Sequence, residues 1–473
     1  MWLAGIIVML AALAGFWHRY AMQALLQVGS HRMGSVLPAK RLLLAALLLV
    51  PLAALHAAEQ PFPLGVYWPW ERVCGNAKRL QMDKWAYVDS RLKDMQVHHV
   101  DSVWVVNLSI ADLGPLAEKL AARKMTLVPA LSELHYNIDW RRNNWSYLEK
   151  ESKRALQAAG ESPAVIAWAL CDEPRKGIVA EMEMFRQKFT DWGAKQPGVV
   201  VTMWPDSPTY ARETKFPYLC TDIYPFFSDG NPNGPNPAAV SKGWYRRQVQ
   251  MTVTSAQDHA RVPWVMPQAF CDVWGPWKYD ARGDMVILPG GVLHWRPPTI
   301  GETRWQIWSA VAAGVQGFFW YVYEPPVKDN SDKAPYKGKT FPTNLLAKAE
   351  CALHATGGLV RPDGSATPEY EAAAEAYVAV AKLLPMLKGC VPMDKGQIQL
   401  SAPGWVGLLR NEALKKTLVA IVNDDCDKAR ELLLSGSYPK LRDLRTNQLL
   451  SSQDGKFKLH LAAGSGTLLE VVE

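Results

Sequence analysis

"AWALCDEPR", residues 167–175, is an apolar run that stops abruptly at two acids and a proline. Together with Ala164, Val165 and Ile166 it reads "AVIAWAL", a strand apolar on both faces, which is how strands of a parallel sheet covered by helices read. Seven further segments have this character: "PLGVYW" (63–68), "VDSVWVVN" (100–107), "MTLVPAL" (125–131), "GVVVTMW" (198–204), "YLCTDIY" (218–224), "VPWVMPQAF" (262–270) and "VQGFFWYVY" (315–323). Amphipathic patterns such as "LGPLAEKLAARK" and "AEMEMFRQKFTDWGAK" lie between them, and residues 301–314 read as a helix leading into the last strand. Eight strands alternating with helices predict an α/β chain closed into a (β/α)8 TIM barrel. An open doubly wound sheet is the alternative, but no G-x-G-x-x-G or P-loop follows a strand to supply its phosphate site.

After a helical stretch ending near Leu387 the texture changes to short alternating segments, among them "QIQLSA", "WVGLLRN", "TLVAIVND" and "KFKLHLAA". Such alternation predicts a small C-terminal antiparallel β-sandwich over residues 389–473, behind a barrel over 59–388 and a leader over 1–58.

The 473 residues are 49% hydrophobic and 21% charged, ordinary globular material. The formal charge of +7 is partly a property of the leader, where Arg19, Arg32, Lys40 and Arg41 face no acid. Without them 48 basic residues stand against 45 acidic ones, which gives no electrostatic case for a nucleic-acid partner.

The segment Leu42 to Ala58 follows Lys40-Arg41, has an uncharged Leu/Ala core and ends in "ALHAAEQ", the pattern of a secretory signal cleaved near Ala57 or Ala58. Met33 just ahead of it is the expected true start. Both apolar segments of the leader, Trp2 to Trp17 and Leu42 to Ala58, fall short of the roughly 20 residues of a spanning helix. The expectation is a periplasmic or extracellular protein, with no stable membrane partner once the leader is removed and membrane tethering if it is retained. Seven cysteines without a C-x-x-C pair indicate neither a disulfide framework nor a zinc site, and no cofactor is expected.

A barrel gathers its strand ends into one concave face. Glu173 ends the fourth strand, Asp222 stands near the end of the sixth, Gln268 ends the seventh and Glu324 the eighth; Asn107 and Glu133 follow the second and third. Hydrolysis of a glycosidic bond needs one carboxylic acid for the leaving oxygen and a second carboxylate to attack the anomeric carbon or activate water. Glu173, Asp222 and Glu324 are therefore the catalytic candidates. Substrate-binding candidates are Asn107, Glu133, Asp172, Tyr224 and Gln268, together with Trp68, Trp104, Trp204, Trp274 and Trp320, because a flat aromatic face suits the C–H face of a sugar. Each has a plainer reading: Asp172 and Glu173 as caps of a helix beginning near Pro174, the tryptophans as core, Glu324 as a solvated acid before Pro325. Arg304 is expected to reach the site or to pair with Glu302. Buried, Gln268 would need partners that an apolar strand lacks, which favours a role at sugar hydroxyls.

"VIAWALCDEPR" resembles the fourth strand of the barrel glycoside hydrolase superfamily that includes β-galactosidases, β-agarases and cellulases. "TDIYPF" (221–226), "TRWQIWSAVAAGVQGFFWYVYE" (303–324) and the C-terminal β domain are similar to its members as well. The resemblance implies Glu173 as the acid/base residue, carbohydrate as the partner and an O-glycosyl hydrolase as the activity. Two positions depart from it. The Asn that precedes the acid in that superfamily is Asp172, and the strand-seven nucleophile position holds Gln268. An amide cannot form a glycosyl ester, so the expectation is an exported glycoside hydrolase with Asp222 or Glu324 as second carboxylate. The alternatives are a noncatalytic glycan-binding barrel and a membrane-tethered part of polysaccharide export machinery.

Overall fold

In the computed structural model, Leu64–Pro69 (β1), Ser102–Leu108 (β2), Thr126–Leu131 (β3), Trp168–Asp172 (β4), Gly198–Met203 (β5), Tyr218–Ile223 (β6) and Val262–Pro267 (β7) are successive parallel strands. The loop after β7 carries two antiparallel pairs, Asp272–Trp274 (β8) with Val292–Trp295 (β11) and Trp277–Tyr279 (β9) with Met285–Ile287 (β10). Phe318–Trp320 (β12) then enters between β7 and β1 and closes the eight-stranded barrel. The structure describes residues 60–472 except 136–141, 175, 204, 229–236, 337–355, 395, 397 and 453. The leader, with its signal and start-site expectations, and Trp204 lie outside the described residues.

Helices Trp70–Arg79 (α1), Lys84–Val97 (α2), Ile110–Ala122 (α3), Trp145–Ala159 (α4), Val179–Asp191 (α5), Ser207–Glu213 (α6), Pro237–Asp258 (α7), Ile300–Ala313 (α8) and Pro368–Leu387 (α9) follow in chain order. Local signals start and stop them: Asp83 caps α2, Ser109 caps α3, and Thr299 with Glu302 forms a capping box on α8, which Gly314 ends in the left-handed conformation. Strand alternation divides the core. Leu64, Val66 and Trp68 pack outward with the helices, while Tyr67, Trp104, Tyr218, Trp264 and Phe319 fill the barrel. Trp264 stacks on Tyr218 with ring centroids 4.0 Å apart, and Phe319 meets Trp104 edge to face at 5.3 Å. Gly65 makes room for this plug, since a Cβ there would lie 2.4 Å from the Phe319 ring.

Beyond α9 the chain forms a six-stranded antiparallel sheet and a three-stranded one, the two-sheet β domain of the C-terminus. Val406, Leu408, Val419, Ile421, Leu434 and Phe457 make their shared core. The opposite face of the larger sheet, with Leu409, Leu418, Ala420, Val422 and Leu468, joins the core that includes Trp305 and Trp308 of α8. Gly407 permits this contact, because a Cβ there would meet the Ala312 carbonyl oxygen at 1.8 Å. Asp424 anchors the same joint by accepting from Trp305 Nε1 at 2.9 Å and from Arg246 Nη1 at 2.5 Å. Arg304 does neither thing expected of it: it pairs with Glu375 of α9 at 2.6 Å, while Glu302 pairs with Arg296 at 2.7 Å.

Candidate active site

The C-terminal ends of β4 and β6 bring three carboxyl groups together, and backbone irregularities aim them. Along β4, Ala169 pairs with Val199 but Asp172 pairs with Val201, because the register slips by one residue between Ala169 and Cys171. Val199 and Val201 both belong to the core inside the barrel. The bulge thus turns Asp172 inward and sends Cys171 to the outer core, the reverse of an unbroken alternation. Glu173 follows with φ +44°, its N–H donating to the Val201 carbonyl oxygen at 2.9 Å. A non-glycine residue in this region of backbone space costs energy, and such positions concentrate at functional sites. On β6 no irregularity is needed: Asp222 pairs with Met266 of β7, which faces the barrel interior.

These acids interact strongly. Glu173 and Asp222 stand close enough for their carboxyl groups to interact directly. Burial, then the Glu173 charge, pushes Asp222 well above the usual carboxylate range. Asp172 accepts the Tyr67 hydroxyl at 3.1 Å, and burial followed by the Glu173 charge pushes it up to about 7 despite that bond. Glu173 itself is the solvent-exposed member. Buried Asp222 and exposed Glu173, coupled to each other, form a pair of the kind used for acid/base chemistry.

Facing the acids is a wall of rings. Tyr67 meets Tyr321 at 4.9 Å, Tyr321 meets Tyr224 at 5.4 Å, and Phe270 meets Tyr224 edge to face at 4.9 Å. Trp295 continues it, stacked on Phe227 at 5.4 Å. The loop after β6 holds this wall by bridging to β11, Phe227 opposite Trp295. Asn107, bulged out of β2 with φ 56°, is exposed and donates to Glu71 at 3.3 Å. Tyr67, Tyr321, Phe270 and Trp295 went unselected in the sequence. Alternation along the first strand was the available signal for Tyr67, whereas Trp295 is brought in by a hairpin that strand patterns do not foretell.

Several expected site residues lie elsewhere. Gln268 is fully buried and structural: its Oε1 accepts the Phe226 N–H at 2.9 Å, and its Nε2 donates to the carbonyls of Phe270 and Arg296 at 3.1 and 2.9 Å. Its partners come from three loops rather than from its own strand, so the amide is satisfied where the sequence offers nothing. Glu324 points away from the mouth; Tyr87 donates to it at 2.5 Å and Asn76 at 3.2 Å, so α1 and α2 enclose it. Glu133 accepts the Ile110 N–H at 3.1 Å and Ser132 Oγ at 2.8 Å, tying down the start of α3. Trp68 and Trp320 are fully buried in the outer core, and Trp104 is buried inside the barrel. Trp274 is buried in the β8 to β11 insertion, donating to Asp272 at 3.0 Å and stacking on His294 at 4.1 Å. These four tryptophans are packing residues rather than sugar platforms. Among the described residues no cluster of His, Cys, Asp and Glu has the arrangement of a metal site.

No family model and no curated protein sequence matches this chain. Among solved structures, the fold is similar to that of AmyP in complex with maltose, with 10% identity and a TM-score of 0.50 over 81% of this chain and 89% of that one. An α-amylase from Geobacillus thermoleovorans complexed with acarbose aligns with 11% identity and a TM-score of 0.44, over 82% of this chain and 91% of that one. A β-glucuronidase from Ruminococcus gnavus aligns with 10% identity and a TM-score of 0.43 over 66% of this chain, which spans only 49% of the β-glucuronidase. At such identities the likeness establishes the barrel and its appended β domain.

Proposed function

We propose that the protein is an exported hydrolase of O-glycosidic bonds, with Glu173 as the general acid. The observation that carries this reading is the Glu173–Asp222 carboxyl pair, set at the C-terminal mouth of the barrel opposite Tyr67, Tyr321 and Trp295. In barrel enzymes this face holds the active site. The coupled pair holds a proton, and Glu173, its exposed member, has the solvent contact needed to pass that proton to a leaving oxygen. Phenol and indole rings supply the flat, partly apolar surface that a sugar face requires. The solved structures with similar folds include proteins named for cleaving or binding carbohydrate, which agrees with this reading. Export rests on the leader alone.

A noncatalytic glycan-binding barrel is the second reading, favoured by the commitment of Gln268 to backbone partners on the strand where a nucleophile is expected. Reducing-sugar release from a broad panel of poly- and oligosaccharides, by the full chain and by Glu173→Gln, separates the two. Release that disappears in the variant supports the hydrolase. Retained sugar binding without release by either protein supports the binding barrel.

A further inference from the structure

The acids of the mouth stand on one arc of the rim, Asp172 and Glu173 on β4 and Asp222 on β6, with only β5 between. A retaining hydrolase with a protein nucleophile needs a second carboxylate about 5 to 5.5 Å from the acid, across the anomeric carbon. Asp222 does not fill that role, because it stands beside Glu173 on the same arc rather than across an anomeric carbon from it. Gln268 and Glu324 are bound up elsewhere. Across from the acids stand Tyr67 and Tyr321.

What the rim does provide is a pair of consecutive acids serving one cavity. The bulge turns Asp172 inward, and the positive φ of Glu173 delivers the next carboxyl to the same mouth. Tyr67 fixes Asp172 through Oδ2. A separate sign of a ligand comes from Asp222, which is only 7% exposed and whose Oδ1 has no hydrogen-bond partner among the described residues.

Resting on the proposed glycosidase activity, we propose that the nucleophile comes from the substrate: a sugar with an acetamido group at the 2-position, whose carbonyl oxygen attacks its own anomeric carbon. The C1–O glycosidic bond breaks as the new C1–O bond forms, and the departing oxygen takes its electron pair and the proton of Glu173. Asp172 accepts the acetamide N–H and balances the positive charge of the cyclic oxazolinium ion. Water then adds to C1 and gives a proton to the Glu173 carboxylate. As water bonds to C1, the bond from C1 to the former acetamide oxygen breaks and its electron pair restores the carbonyl, so the net reaction is hydrolysis with retention and water is the only co-reactant.

The test compares matched 4-nitrophenyl glycosides with acetamido or hydroxyl groups at C2, in both gluco and galacto series and both anomers, using the full chain. Turnover is expected only with 2-acetamido substrates and should fall at least tenfold along an acetyl, fluoroacetyl, trifluoroacetyl series, since each fluorine weakens the carbonyl oxygen as a nucleophile. Asp172→Asn should lose roughly a hundredfold in kcat with KM little changed, the order expected of a single acid/base or charge-stabilising group. The fluoroacetyl series needs no variant, so it stands even if Asp172→Asn folds poorly. Comparable turnover of 2-hydroxy glycosides, or an inverted product, would overturn this inference and leave the hydrolase reading intact. No turnover of any aryl glycoside or polysaccharide would overturn both.

Discussion

Asp172 of β4 lies opposite Val201 of β5, one residue out of the alternation that Ala169 and Val199 begin. That single slip decides which of two neighbours, Cys171 or Asp172, faces the inside of the barrel. Everything at the mouth depends on it, because an outward Asp172 would be buried among helices and lost to the Glu173–Asp222 pair.

The raised carboxyl of Asp172 makes stability pH-dependent. Its folded value of about 7 lies above the unfolded value of about 3.9, so the folded chain holds an extra proton between those limits and stability falls as pH rises through that window. Asp172→Asn removes the loss and leaves an acceptor for Tyr67. Its melting temperature should match that of the unsubstituted protein near pH 4 and exceed it by several °C at pH 8, where the difference reaches up to about 4 kcal/mol, about 1.36 kcal/mol for each of the roughly three pH units between the two values.

Gln268→Glu should not install a nucleophile. The new carboxylate would face the carbonyl oxygens of Phe270 and Arg296, where Nε2 now donates. A loss of about 2 to 4 kcal/mol in denaturant unfolding is expected, with no gain in sugar release. Increased turnover would contradict the placement of this side chain.

Glu324→Gln tests the outward placement of that acid. Burial raises its carboxyl above the ordinary range, and its bonds to Tyr87 and Asn76 act against this. Replacement is expected to cost about 1 kcal/mol of stability, through a mismatched contact with Asn76, and to leave kcat/KM within about twofold. A loss of activity comparable to that of Glu173→Gln would place Glu324 in the chemistry after all.

Gly407→Ala probes the joint between barrel and β domain. The added methyl would overlap the Ala312 carbonyl oxygen, and the sheet cannot yield without parting from α8. Thermal unfolding should show a loss of about 3 kcal/mol, with sugar release at low temperature preserved.

Trp295→Ala should weaken sugar binding by about tenfold, through KM rather than kcat, if the ring pair with Phe227 forms part of the sugar platform. Isothermal titration with an oligosaccharide that supports turnover measures this directly.

The chain order of strands and helices was legible without coordinates, because a barrel strand buried on both faces writes its apolar run into the sequence and amphipathic helices write their period. Glu173 and Asp222 were legible for the same reason, as charges that close such runs. The tryptophans were not: a fully buried Trp68 or Trp320 and a half-buried Trp295 look alike in a string, since burial is a property of what packs on a residue from far along the chain.

The sequence by itself determined the barrel, its appended β domain and the presence of acids at the rim. Only the tertiary structure decided which acids meet. A bulge at Leu170 rotates Asp172 by half a strand period, the distant backbone groups of Phe226 and Arg296 claim Gln268, and α1 with α2 encloses Glu324. Each outcome depends on hydrogen bonds between residues tens to hundreds of positions apart, and local pattern carries no information about such contacts.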